Sequence, residues 1–188
     1  MQLDRQDLIE GLREVVRQTH EQVITGVSIR IVGGAALRLA YFERATTADI
    51  DAQIEPLVQI TPIVEQIARD RGWPAAWLNN EAVSCIPAWG QTVDWEPLFD
   101  DDNVSISVAP IDALLAMKLN AARPGRDTDD IAKLLALNDV SSADEAEAVF
   151  ENFYPGDALP SRTLTLLKRM FQVGLPEKPD RPDTPKLS

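Results

Sequence analysis

The stretch "IVGGAALRLAYFERATTADIDAQI", Ile31 to Ile54, constrains the fold of this chain more than any other. Val27, Ile29 and Ile31 alternate with Ser28 and Arg30 and run into Gly33 and Gly34. Alternation with a period of two predicts a half-buried strand, and the glycine pair predicts a turn that tolerates no side chain. Ala35 to Phe42 predicts a short helix. A second alternation follows in "TADIDAQI", with Ile50, Ala52 and Ile54 on one face and Asp49, Asp51 and Gln53 on the other. The chain therefore has to fold as strand, turn, helix and strand, with two carboxylates two residues apart on the second strand.

Helical periodicity organises much of the rest. Leu8, Ile9, Leu12, Val15 and Val16 predict an opening amphipathic helix that ends near Thr19 and His20. Glu55 to Arg71 carries the stripe Leu57, Ile60, Ile63, Val64 and Ile67 and is stopped by "RGWP". "WPAAWLNNEAVSCIPAWG" has no sustained period and predicts irregular chain with short helical turns. Val104, Ile106 and Val108 alternate with Ser105 and Ser107 and predict a further strand, closed by Ala109-Pro110. Helices follow from Ile111 to Ala122, around Ile131, Leu134 and Leu135, and from "SSADEAEAVF", where Ser142 and Glu145 have capping-box spacing. A last helix, Ser161 to Phe171, presents Leu164, Leu167, Met170 and Phe171, for which packing on the domain is the plainer reading and docking of an antitoxin the other. The order predicts an α/β (α+β) fold: a sheet core over 1–109, a helical C-terminal part over 110–174, and a proline-rich, charged, disordered tail over 175–188.

On a strand, residues two apart lie ~6.5 Å from each other on one side, so Asp49 and Asp51 converge on one or two divalent cations. Magnesium takes carboxylate oxygens and keeps positions for water and phosphate oxygens, as phosphoryl and nucleotidyl transfer require. The glycine turn offers backbone N–H groups and a helix N-terminus to phosphates. Alone, paired aspartates on an exposed strand are solvated charges and a glycine pair is only a turn; together they describe two sides of a nucleoside triphosphate site.

The joint pattern, a strand ending in Gly33-Gly34, a helix, then Arg44, Thr47, Asp49, Ile50 and Asp51, resembles the signature of the nucleotidyltransferase superfamily, the fold of DNA polymerase beta and the minimal nucleotidyltransferases. "IDALLAMKLNAARPGRDTDDIAKLL" resembles the helical element after the sheet in bacterial AbiEii-like proteins, at Lys118, Arg123, Arg126, Asp127 and Asp130. The resemblance covers roughly Val27 to Leu135. It implies a small mixed sheet flanked by helices and a transferase of nucleoside monophosphates from an NTP, dependent on magnesium or manganese held by Asp49 and Asp51. Gly33, Gly34, Arg44, Thr47, Arg123 and Arg126 would meet the nucleotide, and Lys118 and Asp127 would join the two aspartates in catalysis. The implied acceptor is tRNA or protein, and the setting a toxin of a toxin–antitoxin pair with an antitoxin partner. Asp127 and Asp130 also stand where a carboxylate caps a helix, Asp130 being structural by default, and Lys118 taken alone is an ordinary surface lysine. The chain departs from the superfamily pattern at the third carboxylate: the polar face of "NVSISVA" carries Ser105 and Ser107, with Asp94 and Asp112 the nearby acids. A catalytically silent domain that binds a nucleotide or a partner protein is therefore the alternative.

Charge bounds the partners. A net charge of -12 gives the chain as a whole no basic surface of the kind that binds nucleic acid by counterion release, so DNA is excluded and an RNA acceptor needs a local strip, with Lys118, Arg123 and Arg126 as candidates. No apolar run approaches the ~20 residues that cross a bilayer, so no membrane partner and a cytoplasmic location are expected. The single cysteine, Cys85, reads as a small buried hydrophobe in a reducing compartment. His20, the only histidine, reads as a helix-end residue. Trp73, Trp77, Trp89 and Trp95 read as cover for one edge of the core, or as stacking platforms for a base.

Overall fold

The computed structural model describes residues 2–44, 47–123 and 125–188. The fold is mixed, helices with a mixed sheet, and the chain divides into two compact units. Unit 1 is Met1–Ser84, Trp95–Ala109 and Asp180–Ser188; unit 2 is Cys85–Asp94 and Pro110–Pro179. Among the described residues no helix is long and apolar enough to cross a membrane.

Unit 1 opens with α1, Arg5–Glu21, started by a reciprocal cap. The Asp7 N–H donates to Asp4 Oδ1 and the Asp4 N–H to Asp7 Oδ2, each at 2.8 Å, so two donors that the helix leaves unpaired are satisfied. β1 (Val27–Ile31), α2 (Gly33–Ala40), β2 (Ile50–Glu55) and α3 (Leu57–Arg71) follow. β2 starts at Ile50, so Asp49 stands one residue outside the ladder rather than within it. Two strands of the sheet had no readable period: β3 (Leu78–Asn79) is too short to show one, and β4 (Glu96–Asp100) holds Pro97 and an irregularity between Pro97 and Phe99. A proline is tolerated there because β4 is an edge strand. With β5, Val104–Val108, the sheet runs β3-β2-β1-β5-β4. β1 is antiparallel to β2 and parallel to β5, with Ile29 opposite Ile54 and Ile106. These isoleucines are buried on the face where α2 and α3 pack on β2 and α1 packs on both helices. The opposite face carries Ser28, Arg30, Asp51, Gln53, Ser105 and Ser107, all half-buried.

Trp77 is fully buried, its indole N–H donating to Val64 O at 3.0 Å, and Trp73 meets it edge-on. Where composition predicts a disordered tail over 175–188, Asp180–Ser188 lies in unit 1 without helix or strand. The Arg5 and Arg13 guanidiniums donate to the carbonyls of Asp183 and Lys186, Arg181 stacks on the Tyr41 ring, and Leu187 is buried. A polar segment holds a place there because its backbone carbonyls find cationic donors and one leucine finds the core.

Unit 2 is helical: α4 (Ile111–Ala121), α5 (Thr128–Leu137), α6 (Ala143–Phe153) and α7 (Ser161–Val173). α4 packs on α5 and α6, and α6 on α7. Ser142 caps α6 as its spacing predicts, accepting from the Glu145 N–H. The loop 85–94 is tied down by Gln91 N–H to Asn152 O and Tyr154 O–H to Cys85 O, each at 2.6 Å. Cys85 is exposed, not buried as the sequence suggested, and Trp89 is 92% exposed instead of covering a core.

Candidate functional site

In unit 1 the glycine turn and the aspartate strand meet. The Val32 N–H donates to Asp51 O at 2.9 Å, which sets Asp51 beside the residue that enters the turn. Gly33 has φ +67°, a left-handed conformation that an L side chain resists, and a β-carbon there would lie 3.3 Å from Asp51 Oδ2. Gly34 is closely approached: a β-carbon would fall 2.5 Å from Arg44 Nη1, the far end of a flexible side chain, and 3.3 Å from Thr47 Oγ1. Val32, the residue at the N-cap of α2, makes no side-chain cap bond, so the first-turn N–H groups of that helix lack a capping side chain.

Thr47 is positioned by a two-residue bridge to Leu3, with N–H to O distances of 2.8 and 3.3 Å, and its hydroxyl donates to Asp49 O at 3.1 Å. That contact folds the chain around Ala48 and sets where Asp49 enters the strand. The two residues between Arg44 and Thr47 in the motif lie outside the described residues. The structure thus gathers Gly33, Gly34, Arg44, Thr47 and Asp51 at the C-terminal end of β1, with Asp49 two residues before Asp51. Both carboxylates are half-buried, and among the described residues no third His, Cys, Asp or Glu joins them in a metal-holding group. Two carboxylates suit magnesium, which fills the rest of its octahedron with water and phosphate oxygens.

Unit 2 holds a second charged group of another kind. Lys118 Nζ donates to Asp127 Oδ1 at 2.7 Å and to Asp130 Oδ2 at 2.9 Å, and all three residues are buried. Arg123 adds its backbone N–H, at 3.0 Å, and its Nε–H, at 2.9 Å, to Asp127 Oδ2. Asp127 occupies the N-cap of α5 without capping it, because its oxygens are taken by these cations. Burial opposes the Asp127 charge, but the hydrogen bonds from Arg123 and Lys118 outweigh it and hold the carboxyl far below the usual carboxylate range. The ammonium of Lys118, expected at a triphosphate, is enclosed by carboxylates of its own unit. Arg126 is exposed.

Burial of Lys118 removes it from the candidate basic strip. Sequence reading missed the cations of α7, Arg162, Lys168 and Arg169, on a helix without an acidic residue. The signal is that local sign bias, which the apolar stripe of the same helix masks. Arg162 and Arg169 line a cleft of about 800 Å³ with Thr128, Asp129, Leu166 and Met170. His20 Nε2 lies 2.9 Å from Asp101 Oδ2. No family model, no curated protein and no solved structure matches this chain.

Proposed function

We propose that this chain is a metal-dependent nucleotidyltransferase that moves a nucleoside monophosphate from a nucleoside triphosphate to a hydroxyl of tRNA or protein. The observation that carries the reading is the convergence at the end of β1, where Gly33 abuts the Asp51 carboxylate and Gly34 lies under Arg44 and beside Thr47. Two glycines conserve space there on the side where a carboxylate and a guanidinium stand, as a phosphate-holding turn requires. Resemblance of the same residues to the nucleotidyltransferase signature, and to AbiEii-like proteins, supports the reading and suggests a toxin with an antitoxin partner, acting in the cytoplasm.

In this mechanism the α2 N–H groups, Arg44 and Thr47 orient the triphosphate. Asp49 and Asp51 would hold magnesium or manganese, which when bound neutralises phosphate charge. The acceptor hydroxyl attacks the α-phosphorus in line; a P–O bond forms to the acceptor as the bond to the β-phosphate oxygen breaks, and pyrophosphate leaves. The hydroxyl proton passes to one of the two aspartates.

A second reading is favoured by one observation: β5 presents Ser105 and Ser107, not a carboxylate, on the polar face of the sheet. In that reading the domain binds a nucleotide or a partner protein without transfer. The deciding experiment supplies α-labelled ATP, CTP, GTP and UTP, with magnesium or manganese, to total tRNA and to the protein itself. Label that appears with wild type and vanishes with Asp49→Ala supports transfer. No label from any nucleotide, while a triphosphate still binds, leaves the silent nucleotide-binding domain; no binding either would sink the transferase reading and leave a domain that binds a partner protein.

A further inference from the structure

We infer that Arg30, packed on Trp95, forms a phosphate-binding subsite on the polar face of the sheet, one diagonal step from Asp51. The inference deepens the nucleotidyl-transfer reading and rests on it. Arg30 is central: on β1 it pairs in register with Gln53 of β2 on one side and Ser107 of β5 on the other. Asp51 and Glu55 are its diagonal neighbours on β2, at the spacing of ~7–8 Å that separates such residues. A long side chain can bridge that spacing, yet among the described residues neither acid makes an ion pair with Arg30. Gln53 donates instead to Glu55 Oε1 at 2.9 Å. The neighbouring acid on β4, Glu96, faces Arg181 at 3.8 Å.

The only interaction recorded for the Arg30 side chain among the described residues is with an aromatic ring: its Cζ lies 5.6 Å from the Trp95 ring centroid. Trp95 immediately precedes Glu96, which pairs with Val108, and Val108 pairs with Ile31. The ring therefore stands beyond the register of Ile31 and on the β4 side of β1, across β5, so along the strand direction it marks the Gly33 end of the sheet, away from Glu55. A half-buried guanidinium has lost part of its hydration, and among the described residues none of its five N–H donors meets an acceptor. Trp95 holds its plane by cation–π contact, which lowers the ordering cost of a two-point hydrogen bond to an anion. A ligand that meets both Arg30 and the Asp51 end has to carry several anionic groups and span the diagonal gap. The linked phosphates of a nucleoside triphosphate meet both requirements, and a single carboxylate side chain does not.

The test titrates wild type, Arg30→Gln, Arg30→Lys, Trp95→Phe and Asp51→Asn with each of ATP, CTP, GTP and UTP, with magnesium, by calorimetry and tryptophan fluorescence. Loss of the charge-assisted pair weakens the tightest of these nucleotides about 10- to 100-fold in Arg30→Gln. Its binding also becomes less sensitive to salt, which a purely structural arginine would not produce. The fluorescence response to nucleotide is largely lost in Trp95→Phe. If Arg30→Gln does not fold, Arg30→Lys carries the test, since it keeps the stem and the charge but loses the planar fork; weaker binding supports the subsite and binding as tight as wild type overturns it. Binding unchanged in Arg30→Gln but weakened in Asp51→Asn overturns the subsite and leaves the transferase reading intact. No binding of any of the four nucleotides by wild type overturns both.

Discussion

Two groups of charged residues in this chain obey opposite rules. Around Lys118 in unit 2, two buried aspartates, a lysine and the partly exposed Arg123 satisfy one another at 2.7–3.0 Å. Around Gly33 in unit 1, Asp49, Asp51 and Arg30 are half-buried on or beside a polar sheet face, and the glycines keep the adjoining space clear of β-carbons. The difference teaches how to tell a structural charge from a working one. A charge closed in by its partners stabilises its surroundings but has little capacity left for a ligand, whereas a half-buried charge on or beside a polar sheet face is poised to meet one.

The comparison breaks hardest at Lys118. Lys118→Met takes the shared ammonium from two buried carboxylates, of which Asp127 keeps Arg123, and thermal unfolding should show a loss of about 3–5 kcal/mol. Failure to destabilise by even 1 kcal/mol would mean that the group is open to water and no different from the one in unit 1.

Acid titration probes the same contrast. Because the folded Asp127 carboxyl is depressed, its contribution is fully present above the unfolded value of about 3.9 and drains away as pH falls below it. Asp127→Asn should be less stable at neutral pH and should lose less stability between about pH 4 and pH 2 than wild type does. Parallel curves from chemical denaturation would remove the assignment.

Smaller effects belong to unit 1. Gly33→Ala forces a β-carbon into a left-handed residue and should cost about 1–2 kcal/mol. At Gly34 the obstacle is the far end of a flexible arginine, so Gly34→Ala should cost less than Gly33→Ala in stability yet weaken triphosphate binding by displacing Arg44. The smallest change expected is in the stability of Asp51→Asn, within about 0.5 kcal/mol of wild type, while nucleotide binding drops. A large destabilisation there would make Asp51 a structural residue like Asp127.

How much of this was legible in the sequence follows from range. The opening helix, the Val27–Ile31 and Val104–Val108 strands and the glycine turn were readable because period and local turn chemistry encode them within a few residues. β3 and β4 were not, since a two-residue strand has no period and β4 carries a proline and an irregularity. The aspartate pair could be picked out by spacing, but its proximity to Gly33 needed the β1–β2 register, which no local pattern states. Lys118 shows the limit most sharply: its spacing to Asp127 and Asp130 was visible, yet only burial decides between a ligand for phosphate and a partner for two carboxylates. Arg30 passed as one polar position in an alternating strand because Trp95, the residue that orients it, lies far along the chain.

The chain's route through its two units has a consequence for synthesis. Unit 1 is assembled from three separate segments, and the last of them, Asp180–Ser188, is translated only after every residue of unit 2. A domain made from one end of a message to the other usually folds in order of emergence. Here the first unit to begin waits on the second: Leu187 and the carbonyls to which Arg5 and Arg13 donate follow all of unit 2, so α1 spends the synthesis of unit 2 without them.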